Sequence, residues 1–310
     1  MAILNKHNER LVGVLHETES TEIVVLCHGF QSSKEFNIMI NIASALEYQG
    51  ISAFRFDFAG NGIESGINYF TCMVLYKCKV IHNKDSFRKL AWESEGSLQF
   101  GNEFREAEDL RAVIEYFTGA NRTVAAILGH SKGGNVVLLY ASKYHDIPSV
   151  VNVSGRYDLK RGIEQRLGKE VLERIERDGY VNIKNKKGDH GLYVIGNCSL
   201  RASFDRILFS IGEFDFKVTK ESLMERLNTN MHEACLSIDK RCRVLIVHGS
   251  VDEVIPVEDA SEFAKIIPNN RLQIIEGADH VYTSHQEELV SVVLPFIKEQ
   301  CLQQGKNASE

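Results

Sequence analysis

The chain has 310 residues, of which 44% are hydrophobic and 25% charged, a composition that is typical of a globular protein and excludes a mainly disordered or fibrous chain. Its formal net charge of −6 at pH 7 excludes the basic surface that nucleic-acid binding normally requires, so we expect a small-molecule substrate and no nucleic-acid partner. No apolar stretch of about 18 residues could span a bilayer, so we expect no membrane span and a cytoplasmic protein. The seven cysteines show no repeated C-x-x-C spacing, which predicts reduced thiols.

Strands and helices alternate along most of the chain. Residues 11–16 and 22–27 are β-rich and are separated by a short polar stretch, which predicts an opening hairpin. From residue 22 onward, apolar strands alternate with helical segments, which predicts an α/β fold with a doubly wound, mostly parallel sheet. The predicted helices are 36–48, 103–117, 133–143, 257–266 and 286–301, and the strands between them are 51–56, 123–128, 150–153, 244–248 and 272–276.

The alternation stops after Gly155, and the following residues are rich in charge and in helix formers. This change of pattern predicts a helical cap inserted into the core. We therefore divide the chain into a first core part (1–158), a cap region (159–238) and a second core part (239–310). The charged side chains of the cap are expected to face solvent, and the sequence leaves the oligomeric state open.

The sequence Gly129-His130-Ser131-Lys132-Gly133 lies between an apolar strand and a predicted helix. A G-x-S-x-G motif in this context forms a sharp turn that raises the serine hydroxyl above the sheet, beside a helix N-terminus. Ser131 is therefore the candidate nucleophile. The alternative is a tight turn in which the serine only caps the helix.

A serine hydroxyl needs an imidazole to accept its proton and a carboxylate to orient that imidazole. His280 follows a predicted strand through a short loop, which is where catalytic groups collect in such sheets. We prefer it to His248, which ends a strand and is expected to be a buried turn residue. Asp252 gives the chain order Ser, Asp, His that this architecture requires, and Asp158 stays open as the alternative acid.

The tetrahedral intermediate also needs backbone N–H donors, which we assign to Phe30 and Lys132 as a predicted oxyanion hole. The alternative for His28-Gly29-Phe30 is a plain turn, and the Lys132 side chain is expected in solvent. Gly60-Asn61-Gly62 lacks the third glycine of a dinucleotide site, and the histidines lack metal-ligand spacing. We therefore expect no cofactor and no metal.

Together these residues resemble the α/β-hydrolase superfamily, specifically the capped branch of monoacylglycerol lipases, cinnamoyl esterases and serine aminopeptidase-like proteins. The resemblance covers nearly the whole chain and rests on His28-Gly29-Phe30, on residues 55–62 and 129–134, on Gly249-x-x-Asp252 with residues 254–256, and on Gly277-Ala278-Asp279-His280. It implies a serine hydrolase that cleaves a small-molecule carboxylic ester through an acyl-enzyme intermediate.

Two other function classes stay open. A serine aminopeptidase or thioesterase would use the same triad, and a peptidase would need a cap carboxylate for the α-amine of its substrate. Glu164, Glu170 and Glu173 are the candidates for that role. A non-catalytic ligand receptor, or an inactive variant of the hydrolase, is the remaining alternative, and the intact set of Ser131, Asp252 and His280 counts against it.

Two blocks, residues 66–95 and 189–212, depart from the family pattern. In relatives the loop after Gly60-Asn61-Gly62 passes within a few residues to a turn that arrives here only at residues 93–97. The first block also carries an apolar load, including Trp92, that a surface loop has no reason to carry. Our hypothesis is that both blocks are translated intron sequence, with genuine lineage-specific loops as the alternative. Transcripts that run continuously through both blocks would end the intron hypothesis.

Overall fold

The computed structural model describes residues 1–62, 94–184 and 215–307. The predicted insertion 189–212, and all of 66–95 except its last two residues, lie outside the described residues. The described residues that flank each gap are close neighbours. The Ser94 N–H donates to the Asn61 carbonyl at 3.2 Å, and Lys184 is the register partner of Asp215 in a pair of antiparallel strands.

The described strands are β1 (Ala2–Leu4), β2 (Arg10–His16), β3 (Glu22–Cys27), β4 (Ser52–Phe56), β5 (Thr123–His130), β6 (Ser149–Val153), β7 (Tyr180–Lys184), β8 (Asp215–Thr219), β9 (Arg243–Gly249) and β10 (Asn270–Ile275). Eight of them form a sheet at the centre of the molecule, in the order β1-β2-β4-β3-β5-β6-β9-β10. The two pairs at the β1 edge are antiparallel and the other five are parallel, so the doubly wound, mostly parallel sheet is confirmed.

The predicted opening hairpin is wrong, because β4 lies between β2 and β3. Strand β2 pairs antiparallel with β4, while β3 pairs parallel with both β4 and β5. Residues 23–27 of β3 are fully buried, which requires a neighbouring strand on each side and helices on both faces. The connection over residues 17–21 contains no Gly, Asn or Asp that would fix a tight turn, so it does not hold β2 beside β3.

Helices cover both faces of the sheet because successive side chains of a strand point to opposite sides. The described helices are α1 (Asn37–Tyr48), α2 (Glu103–Gly119), α3 (Lys132–Tyr144), α4 (Ile163–Leu167), α5 (Lys169–Asp178), α6 (Lys220–Asn228), α7 (Met231–Leu236), α8 (Glu258–Ile266) and α9 (Gln286–Asn307). Val24 and Leu26 pack in one core with α1 and α9, and Ile23, Val25 and Cys27 pack in the other with α2, α3, α7 and α8. No helix of the described residues combines the length and apolarity that crossing a membrane needs.

A third, smaller apolar cluster joins α4, α5 and α6 to the antiparallel pair β7 and β8. The sequence of this region carries few strand signals, so these two strands depart from the expected helical cap. Phe100 and Phe216 belong to this cluster, and the half-buried Phe30, from the loop after β3, packs against it. The cluster therefore lies over the carboxyl end of β3, where the predicted oxyanion loop begins. The proposed boundaries of the cap, residues 159 and 238, stay a prediction.

Candidate active site

Ser131 occupies the sharp turn between β5 and α3. Its backbone has φ 57° and ψ −119°, a region that costs a residue with a side chain free energy and is kept only where the surroundings enforce it. The enforcement comes from close packing. A Cβ atom added at Gly129 would lie 2.0 Å from the Gly133 carbonyl oxygen, and one added at Gly133 would lie 2.4 Å from the Cys27 carbonyl oxygen. Both glycines of the motif are therefore required by contact.

His280 lies in the loop after β10 and contacts both other members of the predicted triad. Its Nε2 is 3.1 Å from the Ser131 Oγ, and its Nδ1 is 2.7 Å from the Asp252 Oδ2. Because a carboxylate can only accept, the hydrogen-bond network assigns the proton to Nδ1 and leaves the Nε2 lone pair facing the serine hydroxyl. The arrangement can pass the hydroxyl proton to the imidazole.

Asp252 follows β9, and its carboxylate is fully buried. Burial alone would raise its pKa, but hydrogen bonds from His248 and His280 and from the Ile255 N–H hold the pKa of Asp252 well below its usual value. The Oδ1 atom accepts from the N–H groups of Val254 and Ile255, at 2.9 and 2.7 Å. The group is therefore a carboxylate at neutral pH, held by donors on both oxygens.

Neither of the two alternatives from the sequence takes the place of a triad member. Asp158 accepts from the Lys160 N–H and faces Arg161, so the structure does not bring it to His280. The His248 Nε2 lies 3.2 Å from the Asp252 Oδ2 and 3.0 Å from the Ile255 carbonyl, so His248 supports the carboxylate and is not a second base beside Ser131. Sequence reasoning missed this supporting role, for which the four-residue spacing to Asp252 is the available signal.

A second histidine that sequence reasoning missed holds the His280 loop. The His130 Nε2–H donates to the His280 carbonyl at 2.9 Å. Burial, and then the neighbouring His280, lower the pKa of His130 to about 3, so this ring is neutral. The Tyr282 hydroxyl also bonds to the Ser154 Oγ at 2.9 Å, which fixes the far end of the same loop to β6. These bonds position the imidazole against Ser131.

The predicted oxyanion loop passes directly over Ser131, since a Cβ atom added at Gly29 would lie 3.1 Å from the Ser131 Cβ. The His28 Nε2 accepts from the Phe58 N–H at 3.2 Å, which leaves Nδ1–H to donate to the Gly29 carbonyl at 2.8 Å. That carbonyl belongs to the same planar, trans peptide as the Phe30 N–H. The hydrogen bond that holds the Gly29 carbonyl therefore also fixes the direction of the Phe30 N–H. Neither the Phe30 nor the Lys132 N–H has an acceptor among the described residues.

The Lys132 side chain is not in solvent, so this expectation was wrong. It is buried and its Nζ lies 2.8 Å from the Glu106 Oε1. Helix α2 presents three buried carboxyl groups on this side, from Glu103, Glu106 and Asp109. Burial, opposed by Lys132 and reinforced by the other two carboxylates, raises the pKa of Glu106 to about 7. The acidic residues on the inward face of α2 attract the Lys132 side chain. The sequence immediately around Lys132 gives no sign of this contact.

A small cleft of about 40 Å³ opens beside the serine. Its lining is partly aromatic and partly cationic, and the residues that form it are Phe30, Phe100, Gly101, Ser131, Lys132, Asn135, Arg156, Arg166, Arg226, Val254 and Ile255. Arg226 is buried, against the expectation that charged residues of the cap face solvent. The three glutamates suggested as amine ligands are exposed and do not line the cleft. Within the described residues, no group of three His, Cys, Asp or Glu side chains could hold a metal ion.

A family model described as the alpha/beta hydrolase fold matches residues 22–282. A putative uncharacterized protein of Saccharomyces cerevisiae is 22% identical over 285 residues, which cover 90% of this chain and 74% of the yeast protein.

Solved structures with the same architecture include proteins called Est1E and DcsB and an esterase of Pyrococcus furiosus. Est1E from Butyrivibrio proteoclasticus with ferulic acid bound is 19% identical, with a TM-score of 0.64 over 97% of this chain and 99% of that chain. DcsB in complex with its substrate analogue is 16% identical, with a TM-score of 0.70 over 97% and 98%. The Pyrococcus furiosus esterase Pf2001 is 18% identical, with a TM-score of 0.61 over 97% and 89%. At these identities the likeness shows the fold.

Proposed function

The chain belongs to the alpha/beta hydrolase fold family, and we propose that it is a serine hydrolase that cleaves a small-molecule carboxylic ester through an acyl-enzyme intermediate. The observation that carries the proposal is the continuous hydrogen-bonded line from the Ser131 Oγ through His280 to Asp252. Each of these residues follows a parallel strand at its carboxyl end, where ligand sites occur in open α/β sheets. The fold alone hosts many activities, so the proposal rests on this site.

In the first half-reaction, the Ser131 Oγ attacks the acyl carbon while His280 Nε2 takes the hydroxyl proton. The resulting imidazolium is stabilised by the Asp252 carboxylate. The negative charge that develops on the carbonyl oxygen is stabilised by the N–H groups of Phe30 and Lys132. When the ester bond breaks, His280 gives its proton to the leaving alcohol, and the acyl group stays on Ser131.

In the second half-reaction, water attacks the acyl-enzyme, and His280 again acts as the base. The oxyanion donors are used a second time, and collapse of the intermediate releases the carboxylic acid and restores the Ser131 hydroxyl. The chain's own residues supply every proton transfer in this cycle, so the proposal includes no cofactor.

A peptidase reading has less support from the cleft. A peptide α-amine is positively charged at neutral pH, whereas the charged residues that line the cleft are Lys132, Arg156, Arg166 and Arg226. Like charges repel in such a confined site, and no carboxylate of the described residues lines it. The ester substrate is therefore the proposal that the charges of the cleft favour.

The proposal is tested by turnover of p-nitrophenyl acetate and butanoate, set beside an aminoacyl p-nitroanilide and an acyl thioester. We expect the ester to be the best substrate and Ser131→Ala to lose about a thousandfold or more in kcat. Ser142→Ala is the matched control, because that serine lies on helix α3, which follows Ser131, and among the described residues its hydroxyl donates to the Leu139 carbonyl. A folded wild-type protein that cleaves none of these compounds would contradict the proposal.

A further inference from the structure

The cationic side chains that line the cleft beside Ser131 fall into two groups, those paired with a carboxylate and those that are not. Two of its cations are neutralised by carboxylates of helix α2, since Lys132 pairs with Glu106 and Arg226 pairs with Glu103. The other two cations, Arg156 and Arg166, have no carboxylate within ion-pair distance among the described residues. Two unneutralised guanidinium groups therefore line the same small cleft as the candidate nucleophile.

Arg166 lies on α4 with its guanidinium above two aromatic rings. Its Cζ is 5.2 Å from the centre of the Phe30 ring and 5.5 Å from that of Phe100. The residue keeps contact with solvent, and no hydrogen bond joins its guanidinium to any described residue. Although Arg166 is exposed, partial desolvation by the surrounding protein, and then the neighbouring Arg226 and Arg156, lower its pKa, and the side chain is a cation at neutral pH.

Arg156 is held at the carboxyl end of β6. Its backbone N–H donates to the Asn135 Oδ1 at 3.1 Å, and the Asn135 Nδ2 donates to its carbonyl at 2.5 Å. One guanidinium nitrogen donates to the Val254 carbonyl at 2.6 Å. The carboxylates that act on Arg156 at longer range are Asp259, which pairs with Arg161, and Asp252 of the site itself.

We propose that the ester substrate carries a negatively charged group, a carboxylate or a phosphate, which Arg166 and Arg156 bind in the cleft beside Ser131. The inference rests on the proposed hydrolase function and adds the substrate class to it. Two like charges side by side cost free energy that an anion between them recovers. The planar guanidinium group matches the spacing of carboxylate and phosphate oxygens. The guanidinium of Arg166 is oriented by its contacts with the Phe30 and Phe100 rings.

The test uses pairs of esters of equal length that differ in charge. In the acyl arm, p-nitrophenyl pentanoate is set beside the mono-p-nitrophenyl ester of glutaric acid. In the alcohol arm, phenyl butanoate is set beside its para-carboxyphenyl and para-phosphophenyl analogues. We expect at least one charged ester to exceed its neutral partner about tenfold in kcat/KM at low salt. The charged-to-neutral ratio should fall as NaCl is raised to about 0.5 M.

The variants separate a charge effect from a packing effect. Arg166→Gln should lower the charged-to-neutral ratio of kcat/KM about tenfold, mostly through KM, because the lost bonds are made in the ground state as well. Arg166→Lys keeps the charge without the planar fork and should retain part of the ratio. Arg174→Gln, on the neighbouring helix α5, removes an exposed charge outside the cleft and should leave the ratio unchanged. A role limited to stacking on Phe30 would lower both rates of a pair equally.

Failure of the substrate class is distinguishable from failure of the hydrolase proposal. If wild type cleaves the neutral esters and prefers no charged partner, or if Arg166→Gln keeps the preference, the anion site is wrong and the hydrolase proposal stands. If no ester is cleaved, a binding measurement tests the anion site instead. Titration calorimetry of Ser131→Ala with glutarate, para-hydroxybenzoate and inorganic phosphate should show one of them bound, and adding Arg166→Gln should weaken it about tenfold. No binding by any of the three would overturn the anion site as well.

Discussion

The proposed catalytic residues and the arginines of the cleft come from two regions that differ in their hydrogen bonding. Ser131, His280 and Asp252 follow strands of the central sheet and hydrogen-bond to one another in an unbroken line. Arg166 lies on the five-residue helix α4, in the smaller apolar cluster, and its guanidinium bonds to no described residue. The central site is thus complete without a ligand, whereas the other region keeps donors available for one. This contrast suggests that the sheet fixes the chemistry and the region over it selects the substrate.

Of the substitutions that test this contrast, we expect the largest effect at Asp252, the proposed acid of the triad. Asp252→Asn replaces a carboxylate that only accepts by an amide that also donates, which favours the wrong tautomer of His280. We expect kcat for p-nitrophenyl butanoate to fall about a thousandfold or more while the protein stays folded. Asp158→Asn, the acid that faces Arg161, is the matched control and should lose less than about twofold. Equal losses in the two variants would contradict the assignment of the acid.

Rigidity of the nucleophile turn is tested by a glycine substitution. In Gly133→Ala the new Cβ would lie 2.4 Å from the Cys27 carbonyl oxygen and 2.6 Å from that of His28, so β3 and α3 must separate. We expect the free energy of unfolding to fall by about 1 to 3 kcal/mol in urea titrations, with a loss of ester turnover. Gly119→Ala, at the open end of α2, meets no atom within 4 Å and should not destabilise the protein. A Gly133→Ala protein as stable as wild type would contradict the close packing.

The buried carboxyl group under Lys132 predicts a pH dependence of stability. Glu106 has a pKa of about 7 when folded, against its ordinary value of 4.5, so between these values the folded state binds more protons than the unfolded state. Stability should therefore decrease as pH rises from 4.5 to 7, by about 3 kcal/mol from this group. Asp252 affects stability in a separate pH range. Because the folded state lowers its pKa, the stability that this carboxylate contributes is lost only in acid, as the pH falls below the ordinary pKa of an aspartate.

The measurement is the slope of unfolding free energy against pH in wild type and Glu106→Gln. The variant should lose most of the decline between pH 4.5 and 7, whatever its absolute stability. Glu115→Gln, which removes an exposed carboxyl group from the same helix, should keep the wild-type slope. An unchanged slope in Glu106→Gln would show that another group titrates in this range.

The smallest effect is expected in the region over the sheet. Strands β7 and β8 are antiparallel, with Lys184 opposite Asp215, so a short turn suffices to join them. Deleting residues 189–212 leaves six connecting residues, and the shorter loop should change the free energy of unfolding by only about 1 kcal/mol in the stabilising direction. Retained folding and ester turnover would support the hypothesis that this block is translated intron sequence. Unfolding of the deletion protein would show instead that this block is part of the native structure.

Local sequence predicts seven of the eight strands of the central sheet and the candidates of the triad, because strand, turn and helix signals around Ser131 are close together in the chain. It does not predict the short edge strand β1 (Ala2–Leu4). The position of β4 between β2 and β3 depends on contacts between distant segments, and the turn sequence does not specify it. His130 and His248 act through a backbone carbonyl and a carboxylate, so their roles depend on distances that no motif encodes. Arg166 reaches the cleft only because the third apolar cluster turns α4 toward Phe30.

The central claim is that Ser131 is a nucleophile activated by His280, and covalent labelling tests it most directly. A fluorophosphonate probe should react with wild type in a one-to-one ratio, peptide mass spectrometry should locate the adduct on Ser131, and Ser131→Ala and His280→Ala should remain unlabelled. A folded wild-type protein that stays unlabelled, or an adduct on a different residue, would contradict the account.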